Sequence, residues 1–198
     1  MLGKAAVAMW WNIAPDMRAE FEDWHTHEHM PERLAVPGFL RGTRWIAASG
    51  EPSYFVLYEV TDLQTLTRGP YLERLNDPTP WSRKMMPHHR NMVRSLCEVR
   101  ASFGRGVAQA LATLRIEVAD DALSALPERK GLSAAHLLES RPTTGMPQTT
   151  EQKIRGGDAE AGWVALIGGY DVDAVAAASR EVAPRAAAAI YRLSFCLT

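Results

Sequence analysis

The segment Met30-Pro31-Glu32-Arg33 has a counterpart in the second half of the chain, Leu126-Pro127-Glu128-Arg129. Each segment follows the first helix predicted in its half. On either side of these segments, hydrophobic alternation, β-forming residues and Pro/Gly turns predict the order strand–helix–strand–strand–helix–strand. This order occurs once in each half of the chain. The first half has strands at residues 5–13, 39–48, 54–60 and 91–103, and helices at 16–30 and 63–75; the second has strands at 107–118, 132–140, 163–170 and 189–197, and helices at 120–129 and 172–182. A long loop is expected at residues 141–161.

This order is an internal repeat of the ferredoxin-like type. One such unit covers one face of its sheet with helices and leaves the other face bare, so that face needs a partner. The sequence therefore predicts an α+β fold in which two tandem ferredoxin-like units, residues 1–104 and 105–198, pack as an intramolecular α/β barrel. A homodimer is a further option, because free sheet edges can pair.

Composition excludes several classes of function. The chain has 198 residues, 46% of them hydrophobic, and a net charge of −1. Without a basic excess there is no electrostatic case for binding nucleic acid. No run of 18 apolar residues predicts a membrane helix, and the N-terminal segment is typical of a core strand rather than a signal peptide. We expect a cytoplasmic protein in which Cys97 and Cys196 are free thiols, with a disulfide between them as the less favoured alternative.

The helix at residues 16–30 carries the residues best suited to chemistry. At 100° per residue, Met17, Phe21 and Trp24 form an apolar stripe, with Glu28 in its middle and His25 on its flank. A buried carboxylate needs a partner, and the candidates are His25 and Arg33. A Glu–His pair at a cavity edge can tune a general base. The alternative is structural, with solvated histidines and a Glu28 that is paired only for stability.

Two cofactors compete with this interpretation. His25 and His29 are spaced i, i+4, so they could share a metal ion with His88 or His89 as third ligand. Haem could use one histidine and a roomy aromatic cavity, although no CxxCH attachment motif is present. We expect no cofactor, and keep a divalent metal and haem as alternatives.

Aromatic residues are concentrated in the first half and predict the walls of a ligand cavity there. A proline-rich loop at residues 77–89 is expected at its mouth. The candidate substrate-binding residues are Trp24, Trp45, Tyr58, Trp81 and His88. Aromatic residues at inward strand positions would otherwise belong to the core.

Several segments resemble a known family: Asp23-Trp24-His25-Thr26-His27-Glu28-His29-Met30-Pro31-Glu32-Arg33, Pro37-Gly38-Phe39, residues 54–60, Tyr71, and Pro80-Trp81-Ser82. Over residues 5–100 the chain resembles the dimeric α/β-barrel superfamily and, within it, the EthD-like proteins. The resemblance implies a pocket between sheet and helices, in a group that includes cofactor-free monooxygenases, lactone isomerases, polyketide cyclases or dehydratases, and haem enzymes. It implies that His29 is the characteristic histidine, with Glu28 and Arg33 beside it. A helix that bends ahead of Pro31 would reconcile this with the projection.

The leading hypothesis is a small-molecule enzyme of the lyase or isomerase type, acting on a flat organic acid, lactone or polyketide-like substrate. His29 or His25 would remove a proton, Glu28 would orient the imidazole, and Arg33 would hold a carboxylate or enolate oxygen. The alternatives are a cofactor-free or haem-dependent monooxygenase, and a non-catalytic ligand-binding or assembly protein. A void near Trp24 and His29 would favour an enzyme. The second half lacks these histidines, so one site is expected.

Overall fold

The computed structural model describes residues 1–49, 51–117, 120–143 and 145–198. The strands are β1 (Ala5–Ile13), β2 (Phe39–Ser49), β3 (Tyr54–Val60), β4 (His89–Gly104), β5 (Ala110–Leu114), β6 (Leu132–Ser140), β7 (Trp163–Gly169) and β8 (Ala189–Leu197). The α-helices are α1 (Arg18–Trp24), α2 (Met30–Leu34), α3 (Gln64–Thr67), α4 (Gly69–Asn76), α5 (Pro80–Met85), α6 (Asp120–Ser124), α7 (Thr150–Ile154) and α8 (Val172–Val182). A π-helical turn, His25–His29, joins α1 to α2, and 3₁₀ turns lie at Pro15–Met17, Met86–His88 and Leu126–Glu128.

The eight strands close into an antiparallel barrel in the order β1-β3-β2-β8-β5-β7-β6-β4. The first half supplies the run β4-β1-β3-β2 and the second half the run β8-β5-β7-β6, which is the ferredoxin-like order in both cases. Pairing of β2 with β8 and of β4 with β6 joins the runs. The predicted α+β intramolecular barrel is thus confirmed. The division into residues 1–104 and 105–198 stays a prediction.

Closure of the barrel has a consequence for self-association. Each of the eight strands has a neighbour on both sides, so no strand offers a free edge. A homodimer therefore cannot form through the edges of these eight strands, and the homodimer itself stays a prediction.

Several predicted elements differ from those observed. The single helix expected at residues 63–75 is divided, because Arg68 between α3 and α4 is extended, with φ −141° and ψ 161°, just ahead of Gly69 and Pro70. The strand expected at 107–118 is limited to β5, and its last predicted residue lies outside the described residues. The helix expected at 120–129 divides into α6 and a 3₁₀ turn. The predicted loop at 141–161 contains α7, which begins with a capping box between Thr149 and Gln152.

Strand alternation separates two environments in the first half. On β1 the odd-numbered residues, among them Met9 and Trp11, pack toward the helices. The even-numbered residues, such as Trp10, pack inside the barrel with Trp45. The layer between the outer face of this sheet and its helices is where the candidate site lies. Cys97 and Cys196 are free thiols, as expected. None of the helices in the described residues has the length and apolarity needed to cross a membrane.

Candidate functional site

The π turn His25–His29 decides which side chains of the long helix face inward. The helix was expected to end near Met30 but runs on to Leu34. In a regular α-helix the ring of Pro31 would clash with the carbonyl four residues earlier, and the wider π turn just ahead of it relieves that contact. A π turn advances about 80° per residue instead of 100°, so over its five residues the projection shifts by about 100°.

This shift brings His25, His29 and Arg33 onto the face of Phe21 and turns Glu28 away. His25 is 1% exposed, His29 8% and Arg33 2%, whereas Glu28 is half-buried. The prediction that Glu28 lies in the middle of the buried stripe was wrong for this reason. The predicted bend ahead of Pro31 exists as the π turn, and it makes both His25 and His29 inward residues.

Glu28 reaches the histidines only through Trp24. Its Oε1 accepts hydrogen bonds from Trp24 Nε1 at 3.1 Å and from Thr79 Oγ1 at 2.6 Å. Trp24 Nε1 also donates to Ser82 Oγ at 3.3 Å. The indole of Trp24 in turn covers His29. Among the described residues Glu28 forms neither the hydrogen bond to His25 nor the ion pair with Arg33 that the sequence suggested.

A small cavity lies against this helix, with an internal volume of about 30 Å³. Its polar and aromatic lining comprises Trp11, Trp24, His25, His29, Arg33, Tyr58, Tyr71, His89, Arg94, Glu151 and Arg155, and Met9, Leu75, Met86 and Met92 complete it. A water molecule needs about 10–15 Å³ by this measure, so the cavity has room for about two. The void near Trp24 and His29 that favours an enzyme is therefore present.

The lining carries a surplus of positive charge. Arg33, Arg94 and Arg155 contribute three guanidinium groups against the single carboxylate of Glu151. Arg33 and Glu151 form a buried ion pair, although they are far apart in sequence. Arg155 Nε lies 2.6 Å from Asp158 Oδ1, just outside the lining. Even with this second pair counted, one guanidinium is left without a carboxylate, so the cavity favours an anionic ligand.

The histidines of the cavity are neutral. Burial lowers the pKa of His25 and His29 well below the ordinary value, and the neighbouring arginines, Arg44 for His25 and Arg33 for His29, lower it further. Burial and the charge of Arg155 lower the pKa of His89 to about 3. At neutral pH these imidazoles are therefore unprotonated, which is the form that a general base requires.

Four polar atoms on residues of this lining are buried without a hydrogen-bond partner: Trp11 Nε1, His25 Nδ1, His29 Nδ1 and Arg33 Nη1. Buried polar groups are almost always hydrogen-bonded in native proteins, and leaving one unpaired costs about 1–3 kcal/mol. Four such atoms around one cavity indicate a place where a ligand with oxygen acceptors would be stabilised.

No protein-family model and no curated protein sequence matches the chain. Its structure, however, is similar to several solved ones. A proposed monooxygenase from Fusobacterium nucleatum subsp. nucleatum has a TM-score of 0.60 at 10% identity, with 99% of this chain and 95% of that one covered. An anthrone oxidase-like protein has a TM-score of 0.57 at 11% identity, covering 98% and 92%. Chlorite dismutase from Candidatus Nitrospira defluvii, in complex with imidazole, has 0.54 at 10% identity, covering 98% and 93%.

The chain has the dimeric α/β-barrel fold. At these identities the likeness concerns the fold alone. In this α/β barrel the two units belong to one chain, since β2 pairs with β8 and β4 with β6.

Not all predicted site residues meet in the cavity of the α/β barrel. Trp24 and Tyr58 do, and Tyr58 Oη lies 3.5 Å from His25 Nε2. Trp45, Trp81 and His88 lie outside it. Side chains along β2 alternate between the two faces of the sheet, and that of Trp45 lies on the face toward the barrel interior. Trp81 is on α5 and donates from Nε1 to Glu20 Oε1 at 3.2 Å.

His88 ends the 3₁₀ turn that precedes β4, and the next residue, His89, lines the cavity in its place. His89 Nδ1 donates to the carbonyl of Met86 at 3.1 Å, which fixes its tautomer. Sequence analysis also missed Arg94, Glu151 and Arg155. The pattern Thr149-x-x-Gln152 could have revealed the helix that carries Glu151, but no local pattern marks Arg94.

The placement of these residues and the volume of the cavity bear on the alternatives of a metal ion and of haem. Within the described parts of the chain, no group of three or more His, Cys, Asp or Glu side chains is placed to hold a metal ion. Pockets for drug-sized ligands measure about 300–1,000 Å³. A haem does not fit the 30 Å³ cavity beside His25 and His29, whose wall includes the buried Arg33–Glu151 pair.

Proposed function

We propose that the cavity is the active site of a small-molecule enzyme that removes a proton from an activated carbon of an organic anion. The observation that carries this proposal is the placement of a neutral, unpaired imidazole, His29, and an unpaired guanidinium nitrogen, Arg33 Nη1, in one buried aromatic cavity. The imidazole can take the proton, and the guanidinium can stabilise the negative charge that develops on the substrate oxygen.

Each lining residue has a role in this reaction. His29 Nδ1 accepts the proton in the tautomer that carries its own hydrogen on Nε2. Arg33 Nη1 donates to the carboxylate or enolate oxygen, and the rings of Trp11 and Trp24 form flat walls. An anionic substrate offsets the positive charges that lower the pKa of His29, so substrate binding itself strengthens the base. Glu28 is a positioning residue, because it holds Trp24 against His29.

The fate of the carbanion decides the class of reaction. Return of the proton from His29 to another carbon makes the enzyme an isomerase, and departure of a neighbouring group makes it a lyase.

The segment Glu28-His29-Met30-Pro31 supports the finer assignment to the EthD-like proteins, and the free thiols support a cytoplasmic location. Substrate of any size beyond a few atoms requires α7, which carries Glu151 over the cavity, to move outward.

The second candidate is a cofactor-free monooxygenase. It is favoured by the names of structural neighbours, a proposed monooxygenase and an anthrone oxidase-like protein. The first step is the same deprotonation. The carbanion then passes electrons to dioxygen, a CH₂ group becomes a carbonyl, one oxygen atom stays in the product, and the other leaves as water.

Exchange of substrate hydrogen for deuterium in D₂O, followed by NMR, tests the common step. The panel consists of β-keto acids and of unsaturated lactones and anthrones that carry a carboxylate group. We expect the wild-type protein to accelerate exchange for at least one class, His29→Gln to reduce the rate by about 10²-fold or more, and His27→Gln to leave it unchanged, since His27 is an exposed residue of the same helix.

An oxygen electrode separates the two candidates, because only the monooxygenase consumes dioxygen with the same substrate. Wild-type protein that exchanges no compound of the panel contradicts the proposed function. A wild-type rate in His29→Gln contradicts the role of that imidazole.

A further inference from the structure

A second cavity, with a volume of about 40 Å³, lies inside the barrel, where its apolar wall includes Leu57, Leu111 and Leu166. We call it the interior cavity, and the cavity beside the histidines the histidine cavity. Alternation along β3 separates the two, since Tyr58 lines the histidine cavity and its neighbour Leu57 lines the interior one. The sheet therefore stands between a molecule in the interior cavity and the histidines.

The side chains that line the interior cavity carry no net charge. Arg41 Nε donates to Glu59 Oε1 at 2.7 Å, so the one cation and the one anion of the lining neutralise each other. Burial lowers the pKa of His136 to about 3, and the amino group of Met1 and Arg41 lower it further, so this imidazole is neutral. The amino group of Met1 is bonded to Ser102 Oγ at 2.9 Å, which is not part of the lining. A charged ligand would lose its hydration here without gaining an opposite charge, so the interior cavity favours a neutral one.

Trp45 supplies a hydrogen-bond donor in a lining whose free surface is mainly apolar. Its Nε1 is buried and has no hydrogen-bond partner. Trp10 also packs inside the barrel, but its Nε1 donates to Thr113 Oγ1 at 3.1 Å. Buried N–H groups in native proteins are almost always hydrogen-bonded. A ligand oxygen in the interior cavity would give Trp45 the acceptor that Trp10 finds within the protein.

The volume of the interior cavity limits the size of its ligand. Since a water molecule needs about 10–15 Å³ by this measure, there is room for about three water-sized groups. Val107, in the segment between β4 and β5, belongs to the lining and is 37% exposed, so the wall reaches the protein surface there. A molecule of three or four non-hydrogen atoms matches this space and has a route to it.

We propose that the interior cavity is a second binding site, for a small neutral aldehyde or ketone. The carbonyl oxygen accepts a hydrogen bond from Trp45 Nε1, and the alkyl groups contact the leucine wall. A carbonyl compound fits better than an alcohol, because it brings no donor of its own that would need a partner in an apolar cavity. The site is independent of the proposed function, since it uses none of the residues of the histidine cavity.

Titration of the ¹⁵N-labelled full-length protein with acetone, followed through the indole N–H signals, tests this proposal. Trp45→Phe identifies the Trp45 signal by its loss. We expect that signal to move downfield and to saturate with a Kd of about 1–10 mM, in the range open to a ligand of four non-hydrogen atoms. The Trp10 signal should move much less, because its N–H already has an acceptor.

Acetate is the matched probe, because it has as many non-hydrogen atoms as acetone and carries a charge. It should leave the Trp45 signal in place. The indole of Trp11 lines the histidine cavity, so acetate should move the Trp11 signal if that cavity binds anions as proposed.

Two substitutions should fill the interior cavity. Ala108→Leu adds bulk to its wall just before β5, and Val107→Phe does so at an exposed position that tolerates a larger ring. Both should abolish the response of Trp45 to acetone and keep the Trp10 signal of an intact barrel. Ala187→Leu, at an exposed position outside the lining, is the control and should respond as the wild type does.

The outcomes keep the two sites apart. A Trp45 signal that acetone does not move in the wild-type protein means that water alone occupies the interior cavity, and it overturns the proposal. An unchanged response in both filling variants overturns it as well. Neither result bears on the histidine cavity, whose own failure would appear as an absence of hydrogen exchange while Trp45 still responds to acetone.

Discussion

The indole ring of Trp24 covers the imidazole of His29, with ring centroids 4.4 Å apart and planes inclined by 35°. Glu28 and Ser82 accept hydrogen bonds from the indole nitrogen, so the orientation of the candidate base depends on side chains that act through Trp24.

The first prediction concerns Glu28 as a positioning residue. Glu28→Ala should lower kcat by about fivefold, because the lost hydrogen bond, worth about 1 kcal/mol, no longer fixes Trp24 over His29. Glu28→Gln keeps an acceptor for Trp24 Nε1 and should retain most of the activity. The sequence alone predicts a direct hydrogen bond from the imidazole to Glu28. With such a bond, neither variant would be active. Steady-state kinetics with the substrate found by hydrogen exchange decides between the two, and equal losses in both variants would contradict positioning through Trp24.

The second prediction concerns the buried pair of Arg33 and Glu151. Glu151→Ala leaves the Arg33 charge buried and unpaired, and should lower the free energy of unfolding by about 3–5 kcal/mol. The matched control is Glu181→Ala, which removes the exposed pair with Arg129 and should cost at most about 1 kcal/mol. Urea unfolding measures both.

The same variant offers a second readout. Acetate or butyrate should raise the Tm of Glu151→Ala protein more than that of the wild type, because the small anion replaces the missing carboxylate beside Arg33. A loss of stability no larger than in Glu181→Ala protein would show that the pair is not buried as described.

The third prediction is a pH dependence. The pKa of His89 is about 3 in the folded protein and about 6.5 in an unfolded chain. Between these values the unfolded state binds more protons, so the free energy of unfolding decreases as the pH falls, by up to about 1.4 kcal/mol per pH unit for this residue. Its contribution is fully present above about pH 6.5.

His89→Asn keeps a donor for the carbonyl of Met86 and removes the titration. The slope of the unfolding free energy against pH should therefore decrease between about pH 3 and pH 6.5 by the amount that corresponds to one bound proton. Urea unfolding at several pH values measures this slope. His27→Asn, at an exposed position, serves as the control. Identical slopes in wild type and His89→Asn would refute a buried neutral His89.

The fourth prediction concerns the start of α7. Thr149→Ala removes the capping box and should destabilise the helix by about 1 kcal/mol. Hydrogen exchange of the amides in residues 150–155 should become faster, and Thr149→Ser should restore the slow rate. Unchanged exchange in Thr149→Ala protein would mean that packing, not the cap, holds this helix in place.

Local patterns were sufficient for the strands and insufficient for the site. β1 and β3 belong to a sheet with two buried faces, so both are nearly continuous runs of apolar residues, and such runs predict the strand bounds. The π turn has no comparable signal, because the hydrogen bonds of His25–His29 shift by one residue without any change in residue type. For this reason the helical projection misplaced Glu28, whereas the resemblance pointed to His29, one of the two inward histidines.

The remaining site residues were beyond local analysis for a different reason. Glu151 meets Arg33 across 118 residues of sequence, and only the closed barrel brings them together. Arg94 looks like any other charged residue of a long strand until α4 supplies Tyr71 as its partner.

The contribution of α7 to a site built on α1 and α2 has a consequence for how such a protein can change. In a homodimer of identical units every substitution appears twice, so a carboxylate like Glu151 would have to be accommodated at both ends of the assembly. Fusion of the two units in one chain removes that constraint. One unit can keep the candidate histidines while the other, which lacks them, supplies Glu151, and each can then vary without duplicating its changes in the other.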